Sequence, residues 1–373
     1  MHRFFFIFIF LVLFSGCNTP ENKKGGNSSN HYAHGFQIEK TGNITKLTVF
    51  NPWEKAENVS IRYFLVEKNE PVPDSLAGER IIRTPVERVV CLSTTHIGFL
   101  NALEETASVV GISGSRYVSN EKVRKRMEEG EVPDVGYGQN LNYELIVNQN
   151  PELVTVYGIG SEVTSYVQKL EELGIPVVMV AEYLEESPLG KAEWIKFFGA
   201  LFQKEDEAQL FFEQVENEYH RLKKLAAGAS EKPKVLVGSP YKDSWWIPGG
   251  NSYLANLIAD AGGDYLGKEN PSHESYVISF EHALTFANEA DVWIHMANLA
   301  SKDEILSTDE RFKNFGVFKN GKLFNNIKRL NKHGGNDFWE SGTVNPHLVL
   351  HDLTAIFHPE LAEGEMIYYQ EIK

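Results

Sequence analysis

Cysteine is scarce in this chain. The 373 residues contain two, Cys17 and Cys91, too few for a disulfide framework, so folding has to rest on a packed core. Cys91 sits inside the apolar run RVVCLS and reads as a small buried hydrophobe with no chemistry of its own. Positive charge is in deficit: 36 Lys and Arg against 51 Asp and Glu leave a net charge of −15. A surface of that sign repels phosphate backbones, which excludes nucleic acid as a partner. Long apolar runs are missing too. The one continuous stretch, FFFIFIFLVLF at residues 4–14, has eleven residues, too short to cross a hydrocarbon core of about 30 Å as a helix. Placed behind His2 and Arg3 and ahead of the small residues Ser15 and Gly16, it reads as part of a signal peptide at 1–16. The chain also lacks a G-x-S-x-G elbow, an H-E-x-x-H pair and a P-loop glycine pattern, so it is not read as an enzyme.

What is present divides the chain. LFSGC, residues 13–17, resembles a bacterial lipobox, which implies that Cys17 becomes the lipidated first residue of the mature protein. Residues 17–35 are rich in Asn, Gly, Ser and Lys with little to bury, a tether. Residues 36–80 alternate (ITKLTVFNPW, VSIRYFLVE) and predict an antiparallel β appendage of two or three strands. From Ile81 to residue 187, short apolar runs without alternation (RVVCLS, SVVGIS, ELVTVYG, IPVVMVAEY) are separated by helical patterns, the signature of a parallel sheet buried on both faces. Residues 188–228 carry no strand signal. Trp194, Phe197, Phe198 and Leu201, then Phe211, Phe212, Val215, Tyr219 and Leu222, fall at helical spacing, and a spanning helix is expected. The strand and helix rhythm resumes over 229–373 (KVLVGS, ADVWIHM, GKLFNN). The predicted fold class is therefore α/β: two lobes with parallel sheets, one long helix joining them, and a ligand cleft between.

One stretch returns. NYELIVNQNPELVTV at 142–156 reappears as SFEHALTFANEADVWI at 279–294, each with an aromatic and a glutamate opening a helix ahead of a strand. Together with LEELGIPVV and NPHLVLHDLTAIFHPEL, these residues resemble the substrate-binding lipoproteins of ABC importers for cobalamin, ferric siderophores and haem. The resemblance covers residues 81 to about 362. It implies no cofactor and no catalysis, a monomer held to the membrane through Cys17 in the periplasm or cell envelope, and two partners: a metal-chelate small molecule and an ABC permease dimer. It also implies that Glu144 and Glu281 dock onto arginines of the two permease subunits. Carboxylate with guanidinium is a bidentate, charge-assisted pair, and a first-turn glutamate suits the helix dipole.

The cleft is expected at the loops following the strands. Tyr117, Tyr137, Tyr157, Trp245, Trp246, Phe338 and Trp339 concentrate there and offer flat apolar faces to a macrocycle. Trp245 and Trp246 are adjacent, so on a strand one ring would face the cleft and the other would not. Thr95 and His96 stand at a helix start, and Arg116 and Arg329 are candidate contacts for ligand anions. An alternative is a bare transition-metal site drawn from His96, His295, His333 and Asp337.

Overall fold

Alternation in the appendage does what the pleat requires, burying one face of a sheet. Strands β1 (Phe36–Thr41), β2 (Ile44–Phe50) and β3 (Ser60–Glu67) are antiparallel neighbours, and β4 (Ile81–Thr84) pairs parallel to β3. A two-residue turn joins β1 to β2 with Gly42 at a φ of 60°, a conformation a glycine adopts without steric cost. The appendage therefore runs through Thr84, four residues past the expected boundary at 80. IIRT returns to β3 and buries Ile82 before the lobe begins. Tyr63 of β3 accepts the Met179 N–H at 3.0 Å, so the appendage shares the first lobe's core. The computed structural model describes residues 30–241, 244–362 and 364–373. The expected signal peptide, Cys17 and residues 17–29 of the tether lie outside the described residues. Among those described, no helix is long and apolar enough to cross a membrane.

The first lobe contains β5 (Val89–Cys91), α1 (Thr94–Ala102), β6 (Val109–Ile112), α2 (Glu121–Glu128), α3 (Tyr143–Asn148), β7 (Leu153–Val156), α4 (Val163–Glu172) and β8 (Val177–Met179). All four strands are parallel in the order β6-β5-β7-β8. Every residue of β6 and β7 is buried, which is why their sequence shows no alternation.

Residues 188–228 form three helices rather than one: α5 (Pro188–Glu193), α6 (Ile195–Phe202) and α7 (Glu205–Ala226). Gln203, in the left-handed region at φ 54°, makes the turn before α7. Helix α6 is buried on every side. Helix α7 has 22 residues and buries the stripe Ala208, Phe212, Val215, Tyr219, Leu222 and Ala226, which at 1.5 Å per residue is about 33 Å long.

The second lobe follows: β9 (Lys234–Val237), β10 (Pro240–Tyr241), β11 (Ser244–Ile247), α8 (Tyr253–Asp260), β12 (Asp264–Tyr265), β13 (Tyr276–Ile278), α9 (Phe280–Glu289), β14 (Val292–Ile294), α10 (Lys302–Thr308), α11 (Gly316–Asn320), β15 (Lys322–Asn325), α12 (Asp337–Val344), α13 (Pro346–Phe357) and β16 (Gln370–Glu371). Its main sheet runs β12-β9-β14-β15-β16, parallel except for the antiparallel edge strand β16. Strands β10, β11 and β13 make a separate antiparallel sheet. Ranked by chain position, the parallel strands of both lobes share one order, second, first, third, fourth. The first strand and its neighbours put α3 and α9 at equivalent places, each just before the third strand.

Contacts fix the orientation of α7. Near its start the Lys204 ammonium lies 3.7 Å from Glu105, where α1 leads into β6. Near its end Tyr219 donates to Asp260 at 2.7 Å and Lys223 pairs with the same carboxylate at 2.7 Å, where α8 leads into β12. Helix α7 thus underlies the edge where strands begin in both lobes. The strand ends open on the other side.

Candidate ligand-binding cleft

Each strand of the first lobe delivers polar or aromatic side chains to that opening. After β5, Ser93 caps α1, and the Thr95 hydroxyl donates to Glu182 at 2.6 Å. Burial pushes the Glu182 carboxyl above the usual carboxylate range. After β6, the Arg116 guanidinium stacks 4.4 Å from the centre of the Tyr117 ring and contacts its hydroxyl. After β7 comes Tyr157, its hydroxyl 3.2 Å from that of Tyr137. After β8 comes Tyr183, edge-on to Tyr157 at 6.1 Å and donating to the Gly158 carbonyl at 2.7 Å. Tyr137, Tyr157 and Tyr183 form a continuous wall in which the Tyr137 ring is 60% exposed.

The opposing wall begins where β14 ends. His295 and Ala297 have φ of 60° and 50°, a left-handed conformation that costs a non-glycine residue about 1–3 kcal/mol and must be held by its surroundings. Asn325 holds it: its amide donates to the Ala297 and Leu299 carbonyls, both at 2.9 Å, and its carbonyl accepts the Met296 N–H at 3.1 Å. The His295 imidazole bonds the Tyr369 hydroxyl and packs 5.2 Å from Phe338 and 6.3 Å from Trp339. Burial pushes it down to about 3. Trp339 is 53% exposed and stands edge-on to Phe338 at 4.7 Å. Arg329 pairs with Asp337 at 3.0 Å.

The walls meet at a seam. Asn331 donates to the Val118 carbonyl at 2.8 Å. Gly335 lies against the Tyr117 backbone, where a Cβ would come within 2.5 Å of its carbonyl oxygen. Helices α1 and α12 pack so closely that a Cβ on Gly98 would meet the Glu340 carbonyl at 2.3 Å. The seam brings Arg116 and Tyr117 opposite the loop leading to Trp339, with Arg329 at its start.

Three expected contacts are corrected. His96 is wholly buried, its Nδ1 2.8 Å from the Thr155 hydroxyl and its ring packed on Phe198; burial pushes it down to about 3. Trp245 is 2% exposed, donates to the Val237 carbonyl at 3.2 Å and stacks on Trp293 and Phe315. Its neighbour Trp246 points outward beside Val277, its cross-strand partner. Phe338 is buried behind Trp339, and both sit in the first turn of α12 rather than in a loop. The alternative metal set is dispersed: His96 is in the core, His333 is exposed, and Asp337 faces Arg329. Among the described residues no three His, Cys, Asp or Glu side chains gather as metal ligands. Tyr183 and Glu182 escaped the sequence reading, although they follow β8 as Tyr157 follows β7.

Glu144 and Glu281 are exposed in the first turns of α3 and α9. The capping residues match in role, Asn142 accepting the Leu145 N–H at 2.9 Å and Ser279 the His282 N–H at 3.1 Å. Its own N–H, the Ser279 hydroxyl and then Arg311 hold the Glu281 carboxyl below the usual range.

A sequence model of the family described as periplasmic binding protein matches residues 89–326. An uncharacterized lipoprotein of Methanocaldococcus jannaschii is 30% identical over an alignment covering 94% of this chain and 87% of the relative. Among solved structures, a periplasmic heme-binding protein from Pseudomonas aeruginosa superposes with a TM-score of 0.58 at 14% identity, covering 77% of this chain and 98% of that one. A possible iron-binding (periplasmic solute-binding) protein from Staphylococcus epidermidis gives 0.57 at 17%, covering 73% and 98%. At these identities the structural likeness is one of fold.

Proposed function

Because the chain belongs to the periplasmic binding protein family, whose members hold solutes rather than transform them, we propose that it captures a bulky metal chelate, cobalamin, haem or a ferric siderophore, between its lobes and delivers it to an ABC permease. The observation that carries this reading is the aromatic lining of the opening: Tyr137, Tyr157 and Tyr183 on one lobe, Trp339 over Phe338 on the other, with Tyr117 at the seam. Flat, partly exposed rings supply apolar area at low entropic cost and suit a planar macrocycle. The descriptions of the two structural relatives, one a heme-binding protein and the other a possible iron-binding protein, point the same way.

Delivery is assigned to Glu144 and Glu281. Their equivalent topological positions, matching caps and exposure support a pseudo-symmetric partner with two similar cationic sockets. Lipidation at Cys17, supported by the lipoprotein designation of the relative, would keep the protein at the membrane that holds the permease.

Absorbance titration with cyanocobalamin, hemin and a ferric siderophore tests the ligand class. One-to-one binding of one of them supports the reading, and silence with all three combined with saturable binding of a bare metal ion would overturn it. Replacing Glu144 and Glu281 together by alanine should leave that affinity intact and abolish uptake. Loss of binding in the double variant would place the pair in the pocket instead.

A further inference from the structure

The four-stranded appendage lies outside residues 89–326 matched by the family, yet one of its loops reaches the tyrosine wall. Between β2 and β3 the chain crosses to the first lobe, where the Glu54 N–H donates to the Ile159 carbonyl at 3.0 Å. Ile159 follows Tyr157 by two residues and is itself exposed. Glu54, Glu162 and Glu182 come from three separate elements and all act electrostatically on the Tyr183 phenol.

The loop has a defined path. Asn51, Lys55 and Asn58 all have positive φ, 44°, 61° and 58°; asparagine tolerates this, whereas lysine costs about 1–2 kcal/mol and needs a fixed surrounding. The Asn51 N–H donates to the Val59 carbonyl at 2.8 Å, the Val59 N–H to the Asn51 side chain at 3.1 Å, and the Ala56 N–H to the Trp53 carbonyl at 3.1 Å. Pro52 is buried and Trp53 packs on the core, while Glu54, Lys55 and Glu57 are exposed.

We propose that residues 53–58 form an added rim of the ligand site, adjoining Tyr157 and Tyr183, that selects chelates fringed with hydrogen-bond donors over chelates fringed with carboxylates. Glu54, Glu57 and the neighbouring Glu162 stand against the single cation Lys55, so the rim is an acceptor surface of negative sign. An amide-fringed corrinoid satisfies it, and the propionates of a porphyrin are repelled by it. The inference rests on the reading that the tyrosine wall holds a metal chelate.

The test is titration of the full chain in detergent with cyanocobalamin and with hemin, comparing wild type with Glu54→Lys/Glu57→Lys. Both carboxylates are exposed, so melting temperature should not move. The expected result is at least a fivefold loss of corrinoid affinity or a comparable gain in hemin affinity. Unchanged affinity for both overturns the rim, because the variant would then fill the wall as well without the rim carboxylates. Failure of the wild type to bind either probe, or a ferric siderophore, sinks the underlying chelate reading and the rim with it.

Discussion

The Glu340 carboxyl on α12 accepts the backbone N–H groups of Ser119 and its neighbour Asn120 across the seam, each at 2.7 Å. Together with the Asn331 bond to the Val118 carbonyl, this side chain ties the second lobe to the first. Removing it in Glu340→Ala strands two donors in a buried site, at a cost of about 2–5 kcal/mol. Chemical denaturation should report the loss, and an undiminished midpoint would show that the seam is held elsewhere.

The same residue gives a pH dependence. Burial outweighs the two donors and pushes the Glu340 carboxyl up to about 8. A folded pKa above the unfolded value of about 4.3 means that the native state holds this proton more tightly. Its stabilising contribution is complete below that unfolded value and is lost as pH rises through about 8, at up to roughly 1.4 kcal/mol per pH unit. Melting temperatures recorded across that range should fall relative to those of Glu340→Gln, which does not titrate.

Gly98 lies where α1 and α12 leave no room for a Cβ, with the Glu340 carbonyl only 2.3 Å away. A backbone oxygen cannot swing aside as a side chain would. Gly98→Ala should therefore destabilise by about 1–3 kcal/mol through forced separation of the helices, and a melting temperature equal to wild type would refute the tight crossing.

Two tryptophans separate packing from binding. Trp245 is buried among Trp293, Phe312 and Phe315, so Trp245→Ala should cost about 3–5 kcal/mol. Trp339 is half exposed at the opening. Trp339→Ala should weaken chelate binding by about tenfold, equivalent to ~1.4 kcal/mol, with a small effect on melting. The opposite pattern would exchange their roles.

Much of this arrangement was legible because buried parallel strands leave unbroken apolar runs: VVC, VVGI, LVTV and VVM all became strands. The equivalent placement of Glu144 and Glu281 was legible because Asn142 and Ser279 begin helices in the same local pattern. Other features depend on contacts far along the chain. Helix α12 follows a glycine-rich turn and contains Gly342, so its own sequence argues weakly for a helix; packing against α1 decides it. His96 falls within five consecutive buried residues of α1, His96 to Leu100, so no polar face marked its direction. The left-handed turn position is Gln203, neither glycine nor proline, and the glycine the corner does use, Gly199 against Ala208, lies inside α6, which is why residues 188–228 read as one helix. The outward turn of Trp246 could be stated only as one of two choices until the pairing of β11 with β13 fixed the face.

Where the described chain begins, buried carboxylates grip its backbone. Glu193 accepts the N–H groups of His31, Tyr32 and Ala33, and Glu185 those of His34 and Gly35, at 2.8–3.1 Å. Lys196 pairs with Glu193 at 2.8 Å, so Glu193→Ala would leave three N–H donors without their acceptor and take one partner from the ammonium. That variant should lose about 3–5 kcal/mol and open residues 30–36 to proteolysis; resistance equal to wild type would refute the grip.

Tyr32 carries the same segment onto α7, donating to Glu216 at 2.6 Å. Any pull transmitted through the residues ahead of Asn30 is thus met by neighbouring bonds that share the force, instead of yielding one after another. The force enters at α5 and α7, which pack against elements of both lobes. Tension from the leading segment therefore acts on the molecule as a whole and has little leverage to pry the lobes apart.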